Sequence, residues 1–508
     1  MTETIKLRNI TKTFGKTIAN SNVSLDIRKG EILALLGENG SGKSTLMNIL
    51  SGIYYPDSGS IFIDGVKKTF SSPKDALNEG IGMIHQHFKL IDVFTASENI
   101  ILGLKGKFFI NKKQVENKVE EIASRYSFNI DPKKKIYEMS VSEKQTVEIM
   151  KVLYRGVDTM ILDEPTAVLT PQETERLFTV LRKMRADGKA IIIITHKLNE
   201  VLAISDRVGI LRKGELVEVL NTKDADSEKL TDLMVGEHVE LKIDRSEPSY
   251  KDRVLEIRHL NVYGDDGNKA LDNISFECYG GEILGIAGVS GSGQKPLLEA
   301  IAGLQKAALH SHINYFDSEQ KKVHLVGKNP KAIRKLGVGL AFVPEDRLGM
   351  GLVGDMGMTE NMMLRSYENG FSPFVEEKEP SRLAKNVMKD LNVVAPDTKT
   401  PVRKLSGGNV QKVLVGREIA MSPRLLLTAY AVRGLDINTS YAIYNILDQQ
   451  KKKGTAVIYV GEDLDVLLAL TDRILVLCDG KMSGIVDSRK TTKIEVGRMM
   501  AGERKVQA

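Results

Sequence analysis

The chain has no tryptophan and only two cysteines among its 508 residues. Cys278 and Cys478 lie one in each half of the sequence, and neither belongs to a Cys-x-x-Cys pattern. This usage argues against a disulfide framework and is typical of inert thiols in a reducing compartment. The absence of tryptophan excludes no class of function.

Long hydrophobic runs are also lacking. Residues 190–194 form one of the longest, which is far shorter than the roughly 18 to 20 apolar residues that cross a bilayer. The first residues, Met-Thr-Glu-Thr-Ile-Lys-Leu, have no apolar core of a signal peptide. We therefore expect a cytosolic chain, whose role at a membrane would come through a partner.

The charge is nearly balanced. The chain has 72 basic and 66 acidic residues, which gives a net charge of +6 without a basic tail. Such a small surplus does not indicate a nucleic-acid-binding protein. Two basic runs, residues 133–135 and 451–453, are expected to be solvated surface rather than binding patches.

The length exceeds what one hydrophobic core normally holds, so two or more domains are expected. Each half alternates short apolar runs with helical patterns, which predicts an α/β fold with helices on both faces of a sheet. A polar stretch that contains Pro248 interrupts this alternation. We place the N-terminal domain at residues 1–240, a linker at 241–253 and the C-terminal domain at 254–508.

The two halves repeat one pattern. Four pairs are each separated by 266 positions, namely Ser140 and Ser406, Asp163 and Ala429, His196 and Glu462, and Asp206 and Asp472. Two glycine-rich loops, at residues 37–44 and 288–295, are separated by 251 positions. The C-terminal half therefore has a net insertion of 15 residues, 266 less 251, between its loop and its later motifs. The pattern indicates a duplicated fold.

The first loop reads Gly-Glu-Asn-Gly-Ser-Gly-Lys-Ser, which is the pattern of a phosphate-binding loop. It follows the apolar run at residues 32–36 and precedes a helical pattern, as phosphate binding at a helix N-terminus requires. In this pattern Lys43 reaches phosphate and Ser44 reaches Mg²⁺. We predict an ATP-binding segment of Gly37, Glu38, Asn39, Gly40, Ser41, Gly42, Lys43, Ser44 and Thr45.

A second candidate element is a pair of adjacent carboxylates. Asp163 and Glu164 end the apolar run Met-Ile-Leu that begins at residue 160. Phosphoryl transfer needs a carboxylate near Mg²⁺ and a second group that polarises the attacking water. The sequence predicts the first role for Asp163 and the second for Glu164.

These motifs together resemble the nucleotide-binding domain of ABC transporters. The phosphate loop, Gln86, a serine-centred signature, Asp163-Glu164-Pro165-Thr166 and His196 occur in that family's order and spacing, and the resemblance covers nearly the whole chain twice. It implies two tandem ABC-type P-loop ATPase domains, each with a mixed sheet, a RecA-like core and a helical subdomain. It also implies that Phe14 stacks on adenine, that Gln86 senses Mg²⁺ and the membrane partner, and that His196 contacts the γ-phosphate.

In this family each ATP lies between the phosphate loop of one domain and the signature of the other, so the resemblance implies that the two halves pair within the chain. Site one would combine the catalytic residues Lys43, Glu164 and His196, the Mg²⁺ ligands Ser44, Gln86 and Asp163 (partly through water), and the signature residues Ser406, Gly407 and Gly408 with Asp436. Site two would combine Gln294, Lys295, Ala429, Tyr430 and Glu462 with the altered signature around Ser140 and Ser142. We expect hydrolysis at site one alone, and weak nucleotide binding without hydrolysis at site two.

Tandem domains with a short linker resemble the ATP-binding subunits of bacterial importers for nucleosides and for ribose-type or galactose-type sugars. This implies separate membrane permeases, an extracytoplasmic substrate-binding protein, ATP and Mg²⁺ as cofactors, and a peripheral place on the cytoplasmic face of the cell membrane. Residues 85–88, 166–173 and 344–347 are more similar to the nucleoside branch, and the sugar branch remains the alternative. A soluble tandem ATPase of translation or DNA metabolism is a remote alternative, since such proteins usually keep two competent sites and a long charged linker. His85 and His87 form a poor metal cage.

Overall fold

The computed structural model describes residues 3–15, 17–85, 88–104, 111–167, 169–236, 243–250, 252–264, 267–365 and 376–503. The chain divides into an N-terminal unit, Met1–Glu240, and a C-terminal unit, Leu241–Ala508. Within the described ranges, no helix combines the length and the apolar character that crossing a bilayer demands.

The N-terminal unit alternates strands and helices. Its strands are β1 (Glu3–Phe14), β2 (Thr17–Arg28), β3 (Ile32–Leu36), β4 (Ser58–Ile63), β5 (Val66–Lys68), β6 (Ile81–Ile84), β7 (Thr159–Asp163), β8 (Ala190–Thr195), β9 (Arg207–Arg212) and β10 (Glu215–Asn221). Its helices are α1 (Lys43–Leu50), α2 (Pro73–Asn78), α3 (Ala96–Ile101), α4 (Lys112–Tyr126), α5 (Val141–Tyr154), α6 (Pro171–Ala186), α7 (Leu198–Ile204) and α8 (Ser227–Val235). Short 3-10 turns occupy Ile136–Glu138 and Thr222–Asp224.

Two sheets organise the described part of this unit. An antiparallel sheet has the order β2-β1-β4-β5, and a mixed sheet has the order β10-β9-β3-β8-β7-β6. In the mixed sheet, β9, β3, β8, β7 and β6 run parallel, and β10 pairs antiparallel with β9. Parallel strands place their carboxyl ends at one edge, where ligands of such sheets bind.

The buried strands explain why this sheet lies at the centre. Every residue of β3 and β8 is buried, because apolar side chains face both sides of the sheet. On one side they pack with α1 and the antiparallel sheet, and on the other with α5 and α6. A separate small core joins α3, α4 and α5. The unit is thus a mixed-sheet core with a helical subdomain, as predicted.

The C-terminal unit repeats this order. Its strands are β11 (Arg253–Tyr263), β12 (Lys269–Tyr279), β13 (Ile283–Ala287), β14 (His312–Phe316), β15 (Lys322–His324), β16 (Leu340–Val343), β17 (Leu425–Ala429), β18 (Ala456–Val460), β19 (Arg473–Cys478) and β20 (Lys481–Asp487). Its helices are α9 (Gln294–Ile301), α10 (Pro330–Lys335), α11 (Met358–Met363), α12 (Lys378–Asp390), α13 (Gly407–Ala420), α14 (Ile437–Lys452), α15 (Leu464–Leu470) and α16 (Lys493–Met500). A π turn forms at Arg347–Gly351 and a 3-10 turn at Val402–Lys404.

The duplication is visible in the element boundaries. The sheet orders β12-β11-β14-β15 and β16-β17-β18-β13-β19-β20 match those of the N-terminal unit. From α5 and α13 onward, corresponding elements begin 266 positions apart, and β3 and β13 begin 251 apart. The intervening pairs have intermediate offsets, 259 for β6 and β16 and 262 for α3 and α11. The insertion is therefore distributed over several loops.

Residues 243–250, which we assigned to the linker, pack against the C-terminal unit. The Arg245 guanidinium donates to the carbonyl of Thr471, and the Ser246 amide and hydroxyl donate to Asp448 at 2.9 and 2.7 Å. The Lys451 ammonium donates to the Ser246 carbonyl. This segment is thus an integral part of the C-terminal unit's surface.

This packing corrects one sequence-based expectation. Lys451 belongs to a basic run that we expected to be solvated, yet its side chain is 1% exposed and pairs with Asp472 at 2.8 Å. In the corresponding pair of the N-terminal unit, the distance from the Arg185 guanidinium to the Asp206 carboxylate is similar, 2.7 Å. These two side chains, however, are 37% and 38% exposed. Residues 243–250 contribute to the difference because they contact Lys451 directly.

The burial of one pair and the exposure of the other predict unequal effects of truncation. Lys451→Ala should leave the buried Asp472 carboxylate with only the more distant Arg489 guanidinium, at 3.9 Å, and lower the stability of the C-terminal unit by about 3 kcal/mol. Arg185→Ala should cost about 0 to 1 kcal/mol in the N-terminal unit, because water replaces the lost partner. Urea unfolding followed by hydrogen exchange, resolved to each unit, measures both values. Equal losses at the two positions would contradict this account.

Candidate active site

The first glycine-rich loop connects β3 to α1 at the carboxyl edge of the central sheet. The Lys43 side chain is buried, and its ammonium donates to the carbonyls of Gly37 at 2.7 Å and Glu38 at 2.8 Å. Burial lowers the pKa of Lys43, while the nearby carboxylates of Glu164 and Asp163 act in the opposite direction. The ammonium is thus held inside the loop, where it could donate to phosphate oxygens in place of these carbonyl oxygens.

Two glycines of the loop have no room for a side chain. Gly42 has a φ of 100°, and a Cβ there would lie 2.2 Å from the Ala19 carbonyl oxygen. A Cβ on Gly37 would lie 2.2 Å from the Leu211 carbonyl oxygen. The loop therefore curls tightly against β2 and β9, which fixes its amides around a concave space.

The loop and the neighbouring carboxylate fit a phosphate with a divalent cation. The Ser41 hydroxyl is buried without a hydrogen-bond partner among the described residues, which suits a ligand oxygen. The Ser44 hydroxyl bonds the Asp163 carboxylate, and hydroxyl and carboxylate oxygens are ligands that Mg²⁺ prefers. Burial, and then the charge of Glu164, raise the pKa of Asp163. A bound cation would relieve both effects.

The second carboxylate is held by a histidine and by its own backbone. The His196 imidazole Nδ1 lies 2.9 Å from Glu164 Oε1, and this hydrogen bond is the largest cause that lowers the pKa of Glu164. Glu164 adopts a left-handed φ of 47°, and its amide donates to the Ile194 carbonyl at 2.9 Å. Such backbone strain is typical of functional positions. The structure therefore brings together five residues for which the sequence predicts roles at one site, namely Lys43, Ser44, Asp163, Glu164 and His196, and these roles stay predictions.

The predicted adenine contact lies at the end of β1. Phe14 is exposed, and its ring meets Tyr54 edge-on with centroids 5.3 Å apart. The Lys12 ammonium lies 5.6 Å from the Phe14 centroid. Exposed aromatic pairs are suited to stacking on a base. Tyr54 is not among the predicted site residues, although two consecutive tyrosines soon after the α1 helical pattern could have indicated an aromatic contact.

One other residue near the loop, Asn20, also matters and was missed. Asn20 is fully buried, and its amide nitrogen donates to the Gly42 carbonyl at 3.2 Å. It supports the loop from β2, and nothing in the local sequence pattern marks it. Gln86 and His87 lie outside the described residues, so the predicted Mg²⁺ and partner contact of Gln86 stays a prediction.

The signature of the C-terminal unit forms the start of α13. The Ser406 hydroxyl accepts from the Asn409 side-chain amide at 2.9 Å. A Cβ on Gly408 would lie 3.1 Å from the Thr439 hydroxyl, because Asp436 caps α14 directly beneath it. The glycines thus leave bare backbone amides at the helix start, which is an arrangement suited to an anion.

The corresponding signature of the N-terminal unit is built differently. Ser140 and Glu143 form a capping box at the start of α5, in which the Ser140 amide donates to Glu143 at 2.7 Å. Glu143 also pairs with Lys134 at 2.7 Å. The helix start is therefore satisfied by its own side chains.

The second glycine-rich loop keeps the backbone of the first and loses its charge. Gln294 is buried in the position of Lys43 and donates to the Val289 carbonyl at 3.1 Å. Gly293 has a φ of 107°, close to that of Gly42. Ala429 and Tyr430 replace the two carboxylates, and burial raises the pKa of Tyr430 to about 12. This loop supplies neither the ammonium nor the carboxylates that the first site has.

Comparisons with known proteins agree with this geometry. The ABC transporter family profile matches residues 20–167 and 271–428. The chain is similar to the nucleoside import ATP-binding protein NupA of Lactococcus lactis subsp. cremoris (strain MG1363), with 40% identity over 98% of each chain. It is 40% identical to the guanosine import ATP-binding protein NupO of Bacillus subtilis (strain 168), over 99% of this chain and 98% of that one. It is 37% identical to the glucose import ATP-binding protein TsgD13 of Haloferax volcanii, over 98% of this chain and 96% of that one.

The bond between Glu164 and His196 predicts a shift in the pH profile of hydrolysis. A base must be ionised, so activity falls as the pH drops through the pKa of Glu164. Replacing His196 by alanine removes the largest cause that lowers this pKa, so the pKa rises and the acid limb moves to higher pH. The measurement is kcat against pH for the residual activity. His312→Ala, in the exposed start of β14, is the control, and an unmoved acid limb in His196→Ala would refute the coupling.

Proposed function

The chain belongs to the ABC transporter family, and from this premise we propose that it is the ATP-hydrolysing subunit of an importer that carries nucleosides. The observation that supports hydrolysis is the group of side chains described around the first loop, with the Glu164 carboxylate bonded to His196 at 2.9 Å. Two relatives named for nucleoside or guanosine import are each 40% identical, against 37% for the relative named for glucose import. The higher sequence identity to these two relatives favours nucleosides over sugars, and so do the motifs at residues 85–88, 166–173 and 344–347.

The chemistry proceeds through residues of the N-terminal unit. The amides of the loop and the Lys43 ammonium bind the phosphates of ATP, and Phe14 with Tyr54 contacts the base. Ser44 and Asp163 would hold Mg²⁺, which would supply positive charge to neutralise the phosphates. Glu164 accepts a proton from water as the water oxygen bonds the γ-phosphorus and the bond to the ADP oxygen breaks. His196 orients Glu164 and keeps it ionised.

The C-terminal unit has a supporting role in this proposal. It has Gln294 in place of the lysine and Ala429 in place of the aspartate, so it does not hydrolyse ATP. Its signature, Ser406 to Gly408, lies at the start of α13, and the part of this signature in ATP binding stays a prediction from the family resemblance. This division gives one hydrolysis event per cycle for each chain.

The partners would be membrane permeases, with an extracytoplasmic substrate-binding protein beyond them, and the chain would lie on the cytoplasmic face of the membrane. Apolar side chains are exposed after the β6 strand, at Ile91, Val93, Leu102 and Leu104. The corresponding region after β16 exposes Leu348, Met350 and Val353. Exposed apolar groups of this kind suit a protein partner. We assign these two regions to the permease contacts that carry motion to the membrane.

Matched substitutions in the two loops test the single site. Lys43→Met should abolish ATP hydrolysis, with a loss of at least about 100-fold, because the phosphates lose their buried cation. Gln294→Met, at the corresponding position of the second loop, should leave the rate within about twofold, because that amide bonds only the loop carbonyl. Steady-state phosphate release measures both. Substantial activity in Lys43→Met would overturn the assignment of the catalytic site.

Uptake into proteoliposomes tests the substrate. Vesicles that contain the chain with its permeases and binding protein should accumulate radiolabelled nucleosides, and Lys43→Met should stop this accumulation. Uptake of ribose or galactose instead would place the chain with the sugar importers and leave the hydrolysis mechanism intact. ATP turnover without uptake of either class would contradict the importer function.

A further inference from the structure

Three positions of the C-terminal unit differ together from their counterparts. Glu345 follows the end of β16 by two residues, as Gln86 follows β6, and Arg433 and Glu462 stand 266 positions after Ala167 and His196. The same unit has lost both catalytic carboxylates, which are Ala429 and Tyr430 there. Two acids and one guanidinium thus stand where the N-terminal unit has a glutamine, a histidine and an alanine.

Arg433 bonds both new carboxylates at once. Its terminal nitrogen donates to the Glu345 carboxylate, and its Nε lies 3.2 Å from Glu462 Oε1. The guanidinium also lies over the Tyr430 ring at 5.9 Å, and the Arg433 amide donates to the Tyr430 carbonyl at 3.0 Å. One side chain therefore connects the segments that follow β16, β17 and β18.

The same loop also holds the π turn that follows Glu345. The Arg347 side chain donates to the carbonyl of Arg433. Asp346 accepts from the amide of Gly349 at 2.7 Å, and its carbonyl accepts from the amide of Gly351 at 3.1 Å. The turn Arg347–Gly351 is thereby tied to Arg433 in two ways, through Glu345 and through Arg347.

Charge argues against a metal or a triphosphate in this place. Among the described residues, no group of three or more His, Cys, Asp and Glu side chains could hold a metal ion. A cavity of about 300 Å³ beside Ala429 is lined by Lys295 and by the acids Glu299, Glu345 and Asp346. Three carboxylates against Lys295 and the Arg433 guanidinium bonded to Glu345 leave a net negative charge, which is unfavourable for a γ-phosphate.

We propose that Arg433 is a positioning residue that fixes the segment from Glu345 to Val353 without nucleotide, through its bonds to Glu345 and Glu462. These bonds connect the segments that follow β16, β17 and β18 around a guanidinium that is always present. The segment is therefore held without nucleotide. Its consequence for transport rests on the proposed function, in which this segment contacts a permease.

Hydrogen exchange of the full, nucleotide-free chain tests the proposal directly. Exposed ion pairs are individually weak, but Arg433→Gln removes two of them together, so the amides of Gly351 and Leu352 should exchange about fivefold faster. Arg382→Gln is the matched control, because it breaks an exposed pair with Glu379 on α12 in the same unit. It should leave these amides unchanged.

A conservative variant separates the bridge from general damage to the fold. Arg433→Lys keeps a cation beside Glu345 and Glu462 and should retain most of the slow exchange at Gly351 and Leu352 that Arg433→Gln loses. Amides of β17 and β18 should remain unchanged in all variants. Unchanged exchange in Arg433→Gln, or an equal increase in Arg382→Gln, would overturn the proposal.

Proteoliposomes give the second readout. Arg433→Gln should keep ATP hydrolysis within about twofold, since it lies outside the catalytic residues, and lower the number of molecules carried per ATP by about fivefold. An unchanged transport ratio would mean that fixing this segment has no role in coupling. Absence of uptake by the wild-type chain would count against the proposed function and leave the exchange result to decide on Arg433.

Discussion

The parallel register of β3, β8 and β7 determines where the described groups of the candidate site lie. Leu36 pairs with Thr195 and Asp163 with Ile194, so the three strands end at one edge of the sheet. The Glu164 amide then donates to the Ile194 carbonyl, which turns the chain into a left-handed conformation and directs the carboxylate toward His196. Without this register the phosphate loop, the carboxylates and the histidine would not converge, since none of them is close to the others in sequence.

The C-terminal unit shows that the same strand register and turn form even where the carboxylates of the candidate site are missing. Tyr430 keeps the left-handed φ, 50°, and its amide donates to the Val460 carbonyl at 3.0 Å, as Glu164 does to Ile194. The strained turn therefore forms without a carboxylate at its tip. Backbone hydrogen bonding and the buried strands sustain the conformation, and the side chain at its tip is free to change.

The sequence predicted the features that depend on local pattern. Buried strands, glycine loops and the 266-residue repeat all follow from residues close together or at a constant spacing. It did not predict the burial of Lys451, because this depends on residues 243–250, which lie far away in sequence and carry a polar composition. Arg433 was missed for the same reason, since its two carboxylates come from separate loops. Long-range pairing of charges leaves no periodic signal in one sequence.

The losses in the second loop are physically linked. A lysine at the position of Gln294 would be buried as Lys43 is, and Lys43 tolerates burial because Glu164 and Asp163 lie nearby. With Tyr430 and Ala429 at the corresponding positions, a buried ammonium there would lack these two counter-charges, at a cost on the order of several kcal/mol. A neutral amide that donates to the Val289 carbonyl avoids this cost and preserves the loop. Without the two carboxylates, the fold is therefore expected to be more stable with a glutamine at position 294 than with a lysine.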